Sequence, residues 1–297
     1  DICHYYSGRV LLHDQKNALV RNLLIMHLEK GIFLGGNGSY NYYHWMIEIL
    51  PKLQYLSAID QNGYYGFPLL VSEDVYKIKT YREALNFIVT DRPVIILNKD
   101  KAYRVSNLLY INAPNNNPFN LRHNEKYRTA DFLTNSSSIN FMRNTLMLDM
   151  VPPSDVKGNH KIFLARGNDR RNYNQDEIFE IFKERGFKRA TLGELSLKEQ
   201  ITLISNAGII AGPTGAAWTN LIFCREGTKC LCWMAEEYGE FSAFSNLAKI
   251  VGADMQYVTF KTNAKSVGEL YSANYSIAPQ EIRQKLEKLL NVRLKEQ

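Results

Sequence analysis

Through the second half of the chain, short apolar runs without polar alternation take turns with segments of helical periodicity. A strand that is apolar on both faces must be covered on both, the condition met inside a parallel sheet flanked by helices. Lys161–Ala165, Lys188–Leu192, Ile209–Ala211, Lys229–Met234 and Met255–Phe260 read as such strands. Between them the spacing predicts helices over Gln175–Arg185, with Gly186 as its C-cap, over Leu197–Ala207 and over Ser242–Val251. Ser196 followed by Glu199 has the spacing of a capping box at the start of the second of these helices. Alternation of this kind points to a doubly wound α/β fold, in which ligands bind beyond the carboxyl ends of the strands.

The first half is less regular. Arg9–Leu12, Leu23–Leu28, Gly31–Leu34, Phe67–Val71, Pro93–Leu97 and Tyr103–Ile111 read as strands, and Val75–Val89 as a helix. A helix over Tyr42–Ser57 is expected to kink at Pro51, which lacks an N–H to continue the ladder. Asn124–Leu148 reads as helix interrupted around Thr134–Ser138, and Asn112–Pro118 as loop. The run Val151–Gly158, with two prolines, is the natural interdomain linker. The expectation is two Rossmann-like domains, 1–150 and 151–297, with a charged final helix from Pro279 able to pack back on the first.

Composition narrows the partners. The 297 residues carry a net charge of +6 with no arginine-rich block, which argues against nucleic acid and suits an anionic small molecule or loose contact with an acidic membrane surface. No apolar run reaches the ~20 residues that a membrane-spanning helix needs. Cys3, Cys224, Cys230 and Cys232 include no Cys-x-x-Cys pair, so buried free thiols in a reducing compartment are expected. The start at Asp1, without methionine, suggests one module of a longer protein.

Three stretches carry groups suited to chemistry. In the first, Gly212-Pro-Thr-Gly215 follows an apolar strand and precedes a helical pattern opening with Ala216 and Ala217. Strand, glycine turn and helix start together present backbone N–H groups to an anion, with Thr214, Thr219 and Asn220 adding polar side chains; a tight packing turn is the equally weighted alternative. In the second, His44 and Glu48 are four residues apart and share a helical face, so either can serve as a general base oriented by the other; a locally satisfied ion pair is the competing reading. In the third, Arg166, Arg170, Arg171 and Asn172 follow the end of a predicted strand, where guanidinium forks can hold a diphosphate, and Arg166 lies nearest the strand; a solvated basic loop is the alternative. There is no Gly-x-Gly-x-x-Gly opening a helix, no P-loop, no Gly-x-Ser-x-Gly and no Asp-x-Asp pair, so dinucleotides, a Walker site and a metal-held diphosphate are disfavoured.

The order Asn-Tyr-Tyr-His-Trp-x-x-Glu-x-Leu-Pro-x-Leu (41–53), Phe-Leu-Ala-Arg with Arg-Asn and Asp-Glu (163–177), Leu-Ser-x-x-Glu-Gln-Ile (195–201) and Gly-Pro-Thr-Gly-Ala-Ala-Trp-Thr-Asn (212–220) resembles glycosyltransferase family 61. The resemblance spans about residues 30–260 and implies a GT-B-like fold of two Rossmann-like domains facing a cleft. It implies an inverting, metal-independent transfer from a nucleotide-sugar donor to a hydroxyl of a glycan acceptor, with no cofactor. On the donor side it places Arg166, Arg171, Asn172, Glu199, Gly212, Pro213, Thr214, Gly215, Ala216, Ala217, Thr219 and Asn220. On the acceptor side it places Asn37, Asn41 and Tyr43, with Glu48 or His44 as the base and Glu48 slightly favoured. A histidine commonly stands in the family where this chain has Thr214. By analogy with bacterial members the setting is capsule or lipopolysaccharide synthesis, in the cytoplasm or at the inner face of its membrane. The alternatives are a carbohydrate- or nucleotide-binding module without activity, and a transferase using an unusual donor such as a phosphoribosyl group.

Overall fold

The computed structural model describes residues 10–13, 16–20, 22–36, 38–117, 126–147, 150–151, 158–167, 171–262, 264, 267–271 and 273–291. The chain divides into two compact units, Asp1–Asn120 and Leu121–Gln297. The division falls some thirty residues before the expected linker, of which 152–157 lie outside the described residues. The Ser136–Met147 helix explains the difference: it is anchored in the second unit by Arg143, whose guanidinium donates to the carbonyls of Ile222 (2.6 Å) and Cys224 (2.5 Å).

The first unit holds an antiparallel pair, β1 (Val10–His13) and β2 (Ala18–Val20), and a parallel sheet. The sheet comprises β3 (Leu24–Phe33), β4 (Leu69–Ser72), β5 (Val94–Leu97) and β6 (Lys101–Tyr110), in the order β5-β4-β3-β6. The two runs read as separate strands around Gly31 are one strand, β3, because β6 pairs with it from Leu24 to Phe33. Gly31 fits there by having no side chain: a Cβ would lie 2.6 Å from Leu70 Cγ. Chain order runs outward from β3 to β5 and then returns to β6 on the other side of β3, so the sheet's direction of growth reverses between β3 and β6. The helix predicted over Val75–Val89 is two, Glu73–Tyr76 and Lys79–Ile88.

The second unit is built on β7 (His160–Leu164), β8 (Lys188–Ala190), β9 (Ala207–Pro213), β10 (Lys229–Ala235) and β11 (Asp254–Phe260), all parallel in the order β11-β10-β9-β7-β8. Its direction reverses between β7 and β9. Ile162, Phe163, Ile210, Ala211, Leu231 and Cys232 are buried, as the apolar runs require of strands covered on both faces. Gly212 lets β9 lie close against β7, since a Cβ there would sit 2.6 Å from Leu164 Cβ. The capping box forms as expected: the Ser196 backbone N–H donates to Glu199 Oε2 (2.8 Å) at the start of the Leu197–Ser205 helix. Gly186 takes its left-handed conformation (φ 79°) after the Gln175–Lys183 helix.

One helix expectation changes in this unit. Among the described residues of 124–135 there is a 3-10 turn at Thr129–Asp131 and a bridge from Tyr127 to Gly239 instead of helix. Asn135 ends that stretch, its Oδ1 accepting from the Ser137 N–H (2.8 Å), so the helix begins at Ser136. The Pro279–Asn291 helix packs within the second unit: Arg185 pairs with Glu287, and Lys229 Nζ donates to the Leu289 carbonyl (3.3 Å). Cys224, Cys230 and Cys232 are buried free thiols, as expected, and Cys3 lies outside the described residues.

Candidate functional site

Each sheet carries its polar cluster where its direction reverses, at the carboxyl ends of β3 and β6 in the first unit and of β7 and β9 in the second. Those are the positions where an open parallel sheet leaves a crevice for ligands.

In the first unit the segment after β3 is helical but not an α-helix. It runs as a π-helix, His44–Ile49, a 3-10 piece, Leu50–Tyr55, and a short α-turn, Leu56–Ile59. Pro51 accounts for the change of ladder, because it has no N–H to give to the Ile47 carbonyl four residues back. That carbonyl accepts instead from Asn115 Nδ2 at 2.5 Å. The same loop brings the Asn117 backbone N–H onto Glu48 Oε1, also at 2.5 Å. Glu48 Oε2 lies 2.5 Å from His44 Nδ1, and both side chains are buried. Both oxygens of Glu48 are therefore engaged, one by the Asn117 N–H and the other by the His44 ring, which it orients through Nδ1.

Around the pair, Tyr43 packs edge-on against His44 with ring centroids 5.8 Å apart, and burial, with the charge of Glu48, holds its phenol well above the usual range. Asn41 starts the helix, its Oδ1 accepting from the Tyr43 N–H at 2.9 Å. Lys52 follows Glu48 by one turn and is 1% exposed, with Nζ donating to the Gly35 carbonyl (2.8 Å) and lying 5.1 Å from the Tyr110 ring centroid. Asn37, expected on the acceptor side, lies outside the described residues.

In the second unit β9 runs through Gly212 and Pro213, so the turn is only Thr214–Gly215, and the segment Ala216–Phe223 is a 3-10 helix. Thr214 is buried and its N–H is bonded to the Trp233 carbonyl (2.8 Å). Its own carbonyl accepts from the Arg166 guanidinium, which Gly215 admits, since a Cβ there would lie 3.3 Å from Arg166 Nη2. Gln175 clamps the Arg166 backbone, its Oε1 accepting from the N–H at 2.7 Å.

Arg171 adopts φ 58°, is 7% exposed, and is caged by two tyrosines. Its guanidinium donates to Tyr238 Oη (3.0 Å) and lies 5.9 Å and 5.7 Å from the ring centroids of Tyr238 and Tyr275. Burial pushes the Tyr238 phenol up to about 12 despite the pull of Arg171. Asn172 is tied on both sides, its N–H to Asn274 Oδ1 (2.8 Å) and its carbonyl to the Tyr275 N–H (3.1 Å). A cavity of about 300 Å³ opens beside Asn274 and Tyr275, floored by Lys261 and Thr262.

Among the described residues neither Arg166 nor Arg171 forms an ion pair, and the Nε of each is buried without a hydrogen-bond partner. Arg171 is buried and Arg166 half-buried; a guanidinium withdrawn from water without a carboxylate is costly, and an anionic ligand is the group that relieves the cost. Thr219 is fully buried with its hydroxyl unpartnered among the described residues, while Asn220 Nδ2 is turned to the Ala217 carbonyl (3.2 Å). Glu199 is engaged in the capping box and Ala216 opens the 3-10 helix, so the local job of each is evident.

Thus the structure brings together His44, Glu48 and Asn41 in one unit, and Arg166, Arg171, Asn172, Thr214 and Gly215 in the other. Sequence reasoning missed Asn115, Asn117, Lys52, Tyr238 and Tyr275. Only Lys52 left a signal, a charge one turn beyond Glu48 on an otherwise apolar face.

The sequence profile of the family Glycosyltransferase 61 matches residues 42–231, more than half of the chain, which include His44, Glu48, Arg166, Arg171, Asn172, Thr214 and Gly215. No curated protein matches the chain. By that match, with which its two parallel sheets are consistent, the chain belongs to glycosyltransferase family 61 and is a glycosyltransferase, using a nucleotide-sugar donor and a glycan acceptor.

Proposed function

We propose that the transfer is inverting and independent of metal, with a GT-B-type division of labour: the first unit deprotonates the acceptor hydroxyl and the second holds the donor diphosphate. The observation that carries this is the pair of arginines at the β7–β9 reversal, Arg166 and Arg171, which have no carboxylate partner among the described residues. Their fixed positive charge is what a departing nucleoside diphosphate needs, and it needs no cation to supply it. The cavity beside Tyr275 gives room for the nucleoside.

An inverting transfer is one in-line displacement. The acceptor oxygen forms its bond to the anomeric carbon as the bond to the diphosphate breaks, and the acceptor's proton passes to the base. We assign His44 as that base, in preference to Glu48, because both carboxylate oxygens of Glu48 are already engaged and one of them orients the ring through Nδ1. Glu48 orients the ring and stabilises the imidazolium that forms. A role in bacterial surface polysaccharide assembly, within the cytoplasm, is proposed on the resemblance of the motifs; among the described residues no helix is long and apolar enough to cross a membrane.

The test is release of nucleoside diphosphate from a panel of nucleotide sugars in the presence of glycan acceptors. One donor should turn over, and His44→Gln should lower its kcat by about 100-fold or more with donor KM nearly unchanged. Full turnover by that variant would remove His44 from the mechanism.

A further inference from the structure

Tyr275 is a phenol that the transfer as described uses only as a wall of the Arg171 cage. Its ring is fixed by stacking: Tyr173 lies parallel to it with centroids 5.2 Å apart, and Phe260, the last residue of β11, lies at 4.9 Å. The backbone around it is fixed as firmly. The Tyr275 N–H donates to the Asn172 carbonyl, and the Asn172 N–H donates to Asn274 Oδ1 (2.8 Å). Asn174 then forms a two-way pair with the Ile277 backbone, its Oδ1 accepting from the N–H and its Nδ2 donating to the carbonyl, each at 3.0 Å. Residues 274–277 are thus zipped onto the arginine loop 171–174, although they lie beyond the stretch that the family profile matches.

The hydroxyl at the tip of this fixed ring is buried and has no hydrogen-bond partner among the described residues. Buried phenols usually find a partner, so the orphaned group needs a reason. The neighbouring chemistry supplies one. The ring lies 5.7 Å from the Arg171 guanidinium, and a guanidinium carries donors only, so it cannot take the phenol's proton. Burial pushes the Tyr275 phenol up, which keeps that proton in place to be donated. Arg166 Nε, Arg171 Nε and Tyr275 Oη are therefore three buried donors that lack an acceptor. Tyr173 leaves its hydroxyl unpartnered as well, but of the two stacked rings Tyr275 is the one that also lines the cavity of about 300 Å³. Donors gathered without an acceptor match a ligand group that offers acceptors alone, which is the character of phosphate oxygens. We propose that Tyr275 is a further diphosphate-binding residue, its hydroxyl donating to an oxygen of the diphosphate that Arg166 and Arg171 hold.

The inference rests on the second unit holding the donor diphosphate, and one experiment separates the two. Nucleoside diphosphates are titrated calorimetrically, with EDTA, into the native protein, Tyr275→Phe and Arg171→Met, and the ligand-free unfolding midpoints are compared. Tyr275→Phe removes the hydroxyl and keeps the stacked ring. It should weaken the nucleoside diphosphate that binds the native protein by about tenfold or more, because a hydrogen bond to a charged oxygen is lost. Its unfolding midpoint should not fall, since the hydroxyl makes no bond within the protein that the variant could lose. Unchanged affinity overturns the proposal. So does a lowered midpoint, which would give the hydroxyl a structural task instead. Weakening in Arg171→Met with native affinity in Tyr275→Phe leaves the diphosphate site standing without Tyr275; the opposite pattern keeps the tyrosine contact and removes the arginine. A native protein that binds no nucleoside diphosphate overturns both.

Discussion

At the level of single residues, the clusters depend on groups committed to fixed hydrogen bonds. Arg166 is fixed at both ends, by Gln175 at its backbone and by the Thr214 carbonyl at its guanidinium, so its charge is preorganised. Arg166→Ala should lower kcat/KM by at least about 100-fold, or about 2.7 kcal/mol of transition-state stabilisation. Steady-state kinetics on the donor found by screening checks this, and near-normal turnover would remove the arginine from the mechanism. Asn115 has a structural task that is as specific. Asn115→Leu leaves the Ile47 carbonyl buried and unpaired, a loss of about 1–3 kcal/mol that denaturant unfolding would register as a lower midpoint. The same change should reduce kcat, because the loop that ends in Asn117 would no longer be held against Glu48.

Among elements, the outcome depended on how local the cause of structure was. The capping box at Ser196, the C-cap at Gly186 and the buried strands of the second unit were legible, because each is set by residues within one turn or one run. Ser196→Ala should lower stability by about 1 kcal/mol, seen as a small fall in the unfolding midpoint, with activity unchanged. The face shared by His44 and Glu48 was legible as well. The partners that decide its chemistry were not, because Asn115 and Asn117 arrive from the loop after β6, some seventy residues on. The π and 3-10 ladders around Pro51 were visible only as an expected kink. Ala216–Phe223 looked helical from its spacing, yet it tightens to a 3-10 helix directly after β9 and the Thr214–Gly215 turn. Gly212 marks where the backbones of β7 and β9 approach. Gly212→Ala would place a Cβ 2.6 Å from that of Leu164, and the overpacking should cost about 1–3 kcal/mol in thermal or denaturant unfolding.

For the whole molecule, the unifying observation is that each parallel sheet carries its polar cluster at its own point of reversal, β3–β6 in one unit and β7–β9 in the other. Fold class was legible from the rhythm of apolar runs. The attachment of the Ser136–Met147 helix to the second unit was not, because it is made through Arg143, a contact of about eighty residues' separation that no local pattern announces. Likewise the cage around Arg171 is closed by Tyr238 and by Tyr275, both of which lie beyond the matched region. The most direct test of the account is calorimetric titration of nucleoside diphosphates into the native protein and into Arg171→Met, each with EDTA. The account predicts that one nucleoside diphosphate binds without metal and that the variant weakens it by at least about tenfold, or 1.4 kcal/mol. Binding that requires a divalent cation, or that is equally tight in Arg171→Met, would contradict it.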